Sequence, residues 1–335
     1  MSIKEILKSI RWFLAVPLKR LKYIASFPHW RASKSMHWST ELMGRGRIVF
    51  HQGTIIGRRS KLQVPNGQEL FLGKGAWIGD DCEISVHGRI KIGARTSLQH
   101  RTTILGEVNI GAGCVCAPNL YISSSRHHFS DVPAASIRWQ DEWADNQSPP
   151  AFPAQSVYIG DDCWLGINVV IMPGVRIGRG CIIGANAVVT KSLPDYVVAV
   201  GVPAKAVGKR LIFSPPAQLS AKLLEHLPYF YSGFDQYTLP PKRTVDSFDH
   251  IGWFAEPQFQ LALNVEPGQK ILMHISTQGA GQLKHGAAVV EVAAGLTVLQ
   301  LVASPSEPSI LDFEWMPKSA NAAEFAVISV AADIG

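Results

Sequence analysis

The sequence predicts a mainly β chain: a left-handed parallel β-helix with an N-terminal amphipathic helix before it and a C-terminal β-sandwich-like domain after it. Three observations lead there. An aliphatic residue followed by a small one recurs every six positions between Leu72 and Val189. A basic segment with helical apolar spacing precedes that region, and short β-rich runs separated by Pro and Gly follow it. The three parts occupy residues 1–40, 41–210 and 211–335.

The six-residue period decides the central part. Aliphatic positions fall at Leu72, Ile78 and Ile84, then after a two-residue slip at Ile92, Leu98, Ile104, Ile110, Cys116 and Ile122. They return at Ile159, Leu165, Ile171, Ile177, Ile183 and Val189. Gly follows directly at several of these, as at Gly79 and Gly166, where a tight corner favours a permissive backbone. Three such faces make one triangular coil, and stacked coils bury an aliphatic column that no single coil could bury alone. Residues 123–156 break the period with Pro, Ser, Asp and Trp, so they must leave the stack as an excursion loop. A connection of that length in a compact fold points to function.

The cysteines follow the same register. Cys82, Cys114, Cys163 and Cys181 lie four residues after an aliphatic position, and Cys116 occupies one. With no CxxC spacing, they read as small buried hydrophobes rather than as disulfides or metal ligands.

Composition bounds the function. With 47% hydrophobic and 17% charged residues, the 335-residue chain is a packed globular protein, long enough for two domains. Its net charge of +6 resides in residues 1–40, where Lys4, Lys8, Arg11, Lys19, Arg20, Lys22, Arg31 and Lys34 face Glu5 alone. The nearly neutral remainder argues against a nucleic-acid partner. The apolar run Trp12–Leu18 is too short to span a bilayer, and Lys19, Arg20 and Lys22 stand where a signal peptidase site would be. A cytoplasmic protein is expected.

Near the N-terminus, Ile3, Ile6, Leu7, Ile10, Phe13, Leu14, Leu18 and Leu21 recur at helical spacing, interrupted at Pro17. This basic amphipathic helix, residues 1–24, suits either peripheral attachment to an anionic membrane or docking on the protein itself. At the other end, Ser214-Pro215-Pro216 marks a linker and Gln218–Leu227 a short helix. Strands are expected at Phe259–Val265, Ile271–Thr277, Val289–Val292, Thr297–Val302, Ile310–Trp315 and Phe325–Val330. Trp253, Phe254 and Trp315 are candidates either for its core or for stacking on sugars.

Several motifs resemble the sugar O-acetyltransferases of the hexapeptide-repeat superfamily, among them the maltose, galactoside and capsule or exopolysaccharide enzymes. They are Ala117-Pro118-Asn119, the loop segment Ser125-Arg126-His127-His128-Phe129 and Ile159-Gly160-Asp161-Asp162-Cys163-Trp164-Leu165-Gly166. Gly184-Ala185-Asn186-Ala187-Val188-Val189-Thr190-Lys191 and Gly201-Val202-Pro203-Ala204-Lys205 complete the set, and the resemblance covers about residues 70–210. It implies an acetyl-CoA-dependent transfer to a sugar or glycan hydroxyl, serving polysaccharide or glycoconjugate synthesis, in a homotrimer with active sites between subunits.

In the resembling family a His early in the excursion loop is the general base, and gapless counting from Ala117-Pro118-Asn119 places it at His127. A group titrating near neutrality suits the removal of a hydroxyl proton as the bond to the thioester carbon forms. His128 is the adjacent alternative and a candidate for acceptor binding. The resemblance also implies acetyl-CoA contacts near Ala185, Thr190, Lys191 and Lys205, with the lysines suited to phosphate and Thr190 to a hydrogen bond. Trp164 either touches the coenzyme or packs between subunits. Two departures bear on the acceptor: Ile167 stands where the galactoside enzymes carry Ser, and Gln99 aligns with their acceptor-binding Asn. No metal is required. Two rival readings are a non-catalytic β-helix scaffold and, weaker, a metal enzyme of the γ-carbonic-anhydrase type, which would need three histidines at an intersubunit site, a wider pairing that His100, His127 and His128 lack.

Overall fold

The computed structural model describes residues 35–37, 39–130, 132–145, 155–234, 243–245, 251–305, 309–319 and 325–332. The expected helix of residues 1–24 lies outside the described residues. The chain divides into two compact units, Met1–Ile212 and Phe213–Gly335.

The first unit is a left-handed parallel β-helix. One face stacks Ser35–Met36, Ile55–Ile56, Trp77–Ile78, Ser97–Leu98, Val115–Cys116, Trp164–Leu165, Ile182–Ile183 and Val197–Val200 in parallel. Lys205–Lys209 turns back antiparallel to close it. The second face runs from Glu41–Gly44 through Lys61–Val64, Tyr121–Ser123 and Val170–Ile171 to Val188–Val189. The third includes Arg47–Phe50, Glu69–Leu72, Val157–Ile159 and Arg176–Ile177. Strands Glu83–Ile92 and Thr103–Ile110 are long enough to belong to both of the latter.

The periodic residues do what the period implies. Ile78, Leu98, Cys116, Leu165 and Ile183 lie one above another with no solvent exposure, and Leu72, Ile92, Ile110, Ile159 and Ile177 form a second column of the same kind. Each such side chain contributes roughly 1.5–3 kcal/mol through removal from water. The stack begins earlier than the first aliphatic–Gly pair: Phe50, Ile56 and Leu62 already carry the six-residue spacing and are buried.

All five cysteines are free and buried. Cys114 Sγ donates to the Gly160 carbonyl at 3.2 Å and Cys163 Sγ to that of Gly178 at 3.1 Å, each thiol reaching the coil above. Burial pushes the Cys82 thiol up to about 11, so it stays protonated at neutral pH.

The corner between the first and second faces holds Arg101, Asn119, Asn168 and Asn186 at φ 59, 62, 59 and 59°. Asn tolerates this left-handed region better than other side chains bearing a Cβ. Here it also forms a ladder: Arg101 Nε donates to Asn119 Oδ1 at 2.7 Å, Asn119 Nδ2 to Asn168 Oδ1 at 2.8 Å, and Asn168 Nδ2 to Asn186 Oδ1 at 2.8 Å.

The corner between the second and third faces is where the coils vary. The chain travels from Leu62 to Leu72, from Ile84 to Ile92 and from Ile104 to Ile110 across it, shortening by two residues at each step. The two-residue slip of the sequence pattern is this widened corner. In the next coil the same corner opens between Ile122 and Ile159 into the excursion loop, and above it Ile171 and Ile177 restore the six-residue spacing.

The second unit is built from antiparallel strands in the order Ala288–Val292, Gly281–His285, Ile310–Pro317, Ile251–Ala262, Phe325–Ala332, Lys270–Thr277, Gly295–Val302. Alternate residues of these strands converge on one core that includes Phe259, Met273, Phe313, Trp315 and Val327. These strands form one hydrogen-bonded sheet with one buried core. Gly281–His285 is a strand additional to those expected. The expected helix at Gln218–Leu227 is corrected: Gln218–Ser220 pairs antiparallel with Phe325–Ala332, burying Leu219, and only Leu224–Tyr229 winds as a 3-10 turn. Pairing with a strand satisfies the same backbone groups a helix would and adds core burial. Trp315 is 2% exposed, so it belongs to the core and not to a sugar-stacking surface.

Candidate active site

The excursion loop is pinned at both ends. Ser124 N–H donates to the Leu105 carbonyl at 3.0 Å, Gln155 N–H to the Ser124 carbonyl at 2.9 Å, and Glu107 N–H to Ser124 Oγ at 2.8 Å. Ser123 Oγ donates to the Ser125 carbonyl at 2.8 Å and turns the chain outward. Gly106, at φ 100°, lets Ser124 sit this close, since a Cβ there would lie 2.0 Å from Ser124 Oγ.

Within the loop, Ile137–Asp145 forms a helix, α1. Ser136 starts it: its Oγ accepts from Trp139 N–H at 3.2 Å and its carbonyl from Gln140 N–H at 3.0 Å. Gln140, 2% exposed, ties the preceding turn to α1, its Nε2 donating to the Ala135 carbonyl at 3.1 Å and its Oε1 accepting from Val132 N–H at 3.2 Å. Gln140→Ala should therefore loosen the loop, at a cost of about 1–3 kcal/mol for the unpaired groups, while leaving the coils intact. The expected result is faster limited proteolysis within residues 125–155 with little change in thermal melting; an unchanged cleavage rate would refute it.

α1 presents Asp141 to the two loop histidines. Asp141 Oδ2 lies 2.7 Å from His127 Nδ1, and Asp141 Oδ1 accepts from the His128 backbone N–H at 2.8 Å. These contacts, the His128 N–H first and the His127 ring second, hold the Asp141 carboxyl below its usual range, so it is ionised at neutral pH. An ionised carboxylate only accepts, which assigns the proton of neutral His127 to Nδ1 and the lone pair to Nε2. His127 is largely exposed, its side chain 83% accessible, so Nε2 is open to an incoming hydroxyl. A base oriented by a carboxylate is the arrangement that proton abstraction needs. Asp141 has no motif of its own in the sequence; the one available signal is a Ser followed by helix-forming residues inside the loop.

The structure brings together His127, His128 and Asp141, and it distributes the other expected residues over the coil surface. Trp164 points outward from the first face, 54% exposed, beside Val115 at 47%. Gln99 is half-buried, on the column that continues through Ala117 and Gly166 to Gly184, next to the exposed Ala185. Thr190 and Lys191 are exposed at the far end of the second face, above the corner where the loop departs. Lys205 is exposed at the start of the closing strand, paired with Val200. His100 is apart from the loop, its Nδ1 accepting from Asp80 N–H at 2.9 Å and its ring edge-on to Trp77 at 5.9 Å. Among the described residues, no group of three His, Cys, Asp or Glu side chains of one chain is placed to hold a metal ion.

Residues 156–191 match the family model described as bacterial transferase hexapeptide (six repeats). A probable acetyltransferase of Mycobacterium tuberculosis is 30% identical over 207 residues, 61% of this chain and 63% of that protein. An acetyltransferase provisionally assigned to colanic acid biosynthesis in Escherichia coli is 29% identical over 180 residues, 52% of this chain and 80% of that protein. The galactoside O-acetyltransferase of Escherichia coli is 33% identical over 144 residues, 42% of this chain and 64% of that enzyme. The matched regions thus span a little under two thirds of the first and last of these relatives. The six-residue period that builds the coils is the one that family model matches over residues 156–191, and over its coil region the chain is similar to hexapeptide-repeat acetyltransferases.

Proposed function

We propose that the protein transfers an acetyl group from acetyl-CoA to a sugar hydroxyl of a glycan, with His127 as general base. The observation that carries this reading is the 2.7 Å pairing of His127 Nδ1 with Asp141, which directs the lone pair of an exposed Nε2 outward. In the reaction Nε2 takes the hydroxyl proton as the oxygen attacks the thioester carbon. The tetrahedral intermediate expels the coenzyme thiolate, and the imidazolium returns the proton to that sulfur. Loop backbone N–H groups are suited to the oxyanion. Trp164, Ala185, Thr190, Lys191 and Lys205 are assigned to the coenzyme, and Gln99 and His128 to the acceptor. Acetyl-CoA as donor fits a cytoplasmic protein, and the basic residues 1–24 would bring it to the inner membrane surface where lipid-linked glycans are assembled.

A homotrimer completes the proposal. The first face exposes Ile55 at 43%, Val115 at 47% and Trp164 at 54%, an apolar strip that a second subunit would cover. The excursion loop leaves the coils at the corner between the second and third faces, and in a trimer a neighbouring subunit would bring its first-face residues to the base. Multi-angle light scattering should give a trimer; an active monomer would sink the assembly.

The test of the activity is acetyl-CoA consumption across extracted glycan fractions, with mass spectrometry of the products. A mass gain of one acetyl group on a glycan supports the reading, and thiol release with no fraction overturns it.

A further inference from the structure

The second unit carries a groove of about 590 Å³ on the side of its sheet turned away from the core. Strand alternation builds it: Phe259, Leu261, Leu283 and Phe313 belong to the core, so Gln258, Gln260, Lys284, Asp312 and Glu314 stand on the opposite side. The register sets these five in two rows, Lys284 beside Glu314 beside Gln258, and Asp312 beside Gln260. All five line the groove, and the aromatic residues that also line it, Phe259 and Phe313, are buried, so the surface a ligand meets is polar. The rows are held in place. Gln260 Nε2 donates to Asp312 Oδ1 at 2.6 Å, and Lys284 Nζ lies 3.5 Å from Glu314 Oε2. Beneath them the buried His285 donates from Nδ1 to the Asp312 carbonyl at 2.7 Å, accepts at Nε2 from Ser304 N–H at 3.0 Å, and stacks on Phe313.

We propose that this groove binds a neutral glycan, which makes the second unit a carbohydrate-binding module with a site built entirely from its own residues. The choice of a glycan among hydroxylated ligands rests on the sugar-transfer reading above. A sugar hydroxyl both donates and accepts, and the groove offers it both partners: carboxylate acceptors at Asp312 and Glu314, an ammonium donor at Lys284, and at Gln258 an amide that does either. Neighbours within a row are about 4.8 Å apart and the rows about 6.8 Å apart, spacings on the scale of one sugar ring. The volume falls within the roughly 300–1,000 Å³ of small-ligand sites, but those are mostly apolar, and this lining suits a hydroxylated occupant instead. Charge excludes other occupants. Two carboxyl groups against one ammonium disfavour phosphates, nucleic acid and anionic lipid, while Lys284 stands against a metal cation. An apolar partner surface would cover Lys284 and Glu314 at a desolvation cost. The groove also lies over Gly281–His285, Ile310–Pro317 and Ile251–Ala262, each flanked by strands on both sides, so it is no edge to which a peptide strand could add.

The experiment is a titration of the full-length protein, without acetyl-CoA, with neutral tetrasaccharides of glucose, galactose and mannose, read by calorimetry and saturation-transfer NMR. At least one should bind, and the Gln258→Ala/Glu314→Ala double variant should weaken that binding about tenfold or more, the scale of losing hydrogen bonds that include a charged partner. Both side chains lie on the outward side of the sheet, so the double variant should keep the wild-type circular dichroism and melting. Asp312→Asn, nearly isosteric, should weaken the same binding about threefold or more by removing a charged acceptor, and it carries the test if the double variant fails to fold. A wild type that binds none of the three, or groove variants that bind as the wild type does, overturns the proposal. So does binding lost only in His128→Ala, which would place the glycan at the acceptor site, or calcium binding that the double variant abolishes, which would make the groove a cation site. Groove-dependent binding without acetyl transfer to any glycan would leave the module standing and remove the activity. Transfer to a glycan that the groove variants still bind normally would do the reverse, so the two failures are distinguishable.

Discussion

His127→Ala should lower kcat by roughly two to four orders of magnitude and leave acetyl-CoA affinity nearly unchanged. The base acts only as the proton moves, so its loss weakens the transition state and not the ground-state contacts assigned to Ala185, Thr190 and Lys191. The ring is exposed and makes no core contact, so the variant should melt with the wild type. His128→Ala supplies the contrast. The contact of His128 with Asp141 is made by its backbone N–H, which alanine retains, and the expected loss is modest and falls mainly on acceptor KM. Steady-state kinetics on both variants, with coenzyme affinity by calorimetry, decide between them. If His128→Ala is the inactive one, the base is the neighbouring histidine; if both remain fully active, neither histidine is the base.

The coil register was legible because it is a local rule repeated many times. Each aliphatic position from Leu72 to Val189 had to face inward for the period to exist, and those residues are buried. Phe50, Ile56 and Leu62 obey the same rule but were harder to see, since His51 and Gln63 replace the corner Gly after the first and last of them. The excursion loop was legible as a broken period, whereas the choice of His127 rests on the resemblance. Asp141 was not, because the contact closes across 14 residues whose path depends on Ser136, Gln140 and the turn between them. No single-residue preference encodes that closure. In the second unit the strands were readable from their apolar alternation, whereas Gln218–Ser220 was misread because only its distant partner, Phe325–Ala332, makes it a strand.

Asp141→Asn is the second substitution with a large expected effect, and it separates orientation from mere structure. The amide is nearly isosteric and its oxygen still accepts from the His128 N–H, so the loop should keep its fold. Its NH2, however, would donate toward His127 Nδ1. That nitrogen must then carry the lone pair, and the proton moves to Nε2, the atom required as base. The expected loss is about two to three orders of magnitude in kcat at unchanged acetyl-CoA affinity. Asp141→Glu should recover part of it, because a carboxylate restores the Nδ1 proton. Nitrogen-15 NMR of the ring reports the tautomer directly, a readout that a purely structural role would not move. The wild-type carboxyl also sets an acid limit for the pairing. Held below its ordinary range, it contributes stability that is complete above the unfolded value and lost as pH falls through the lower folded one. The loop should thus resist proteolysis on acidification through the ordinary carboxylate range and yield only below it, whereas the Asn variant, having no charge to lose there, should show no such step. Wild-type activity surviving unchanged in Asp141→Asn, with the same ring tautomer, would remove Asp141 from the mechanism and leave His127 oriented by some other group.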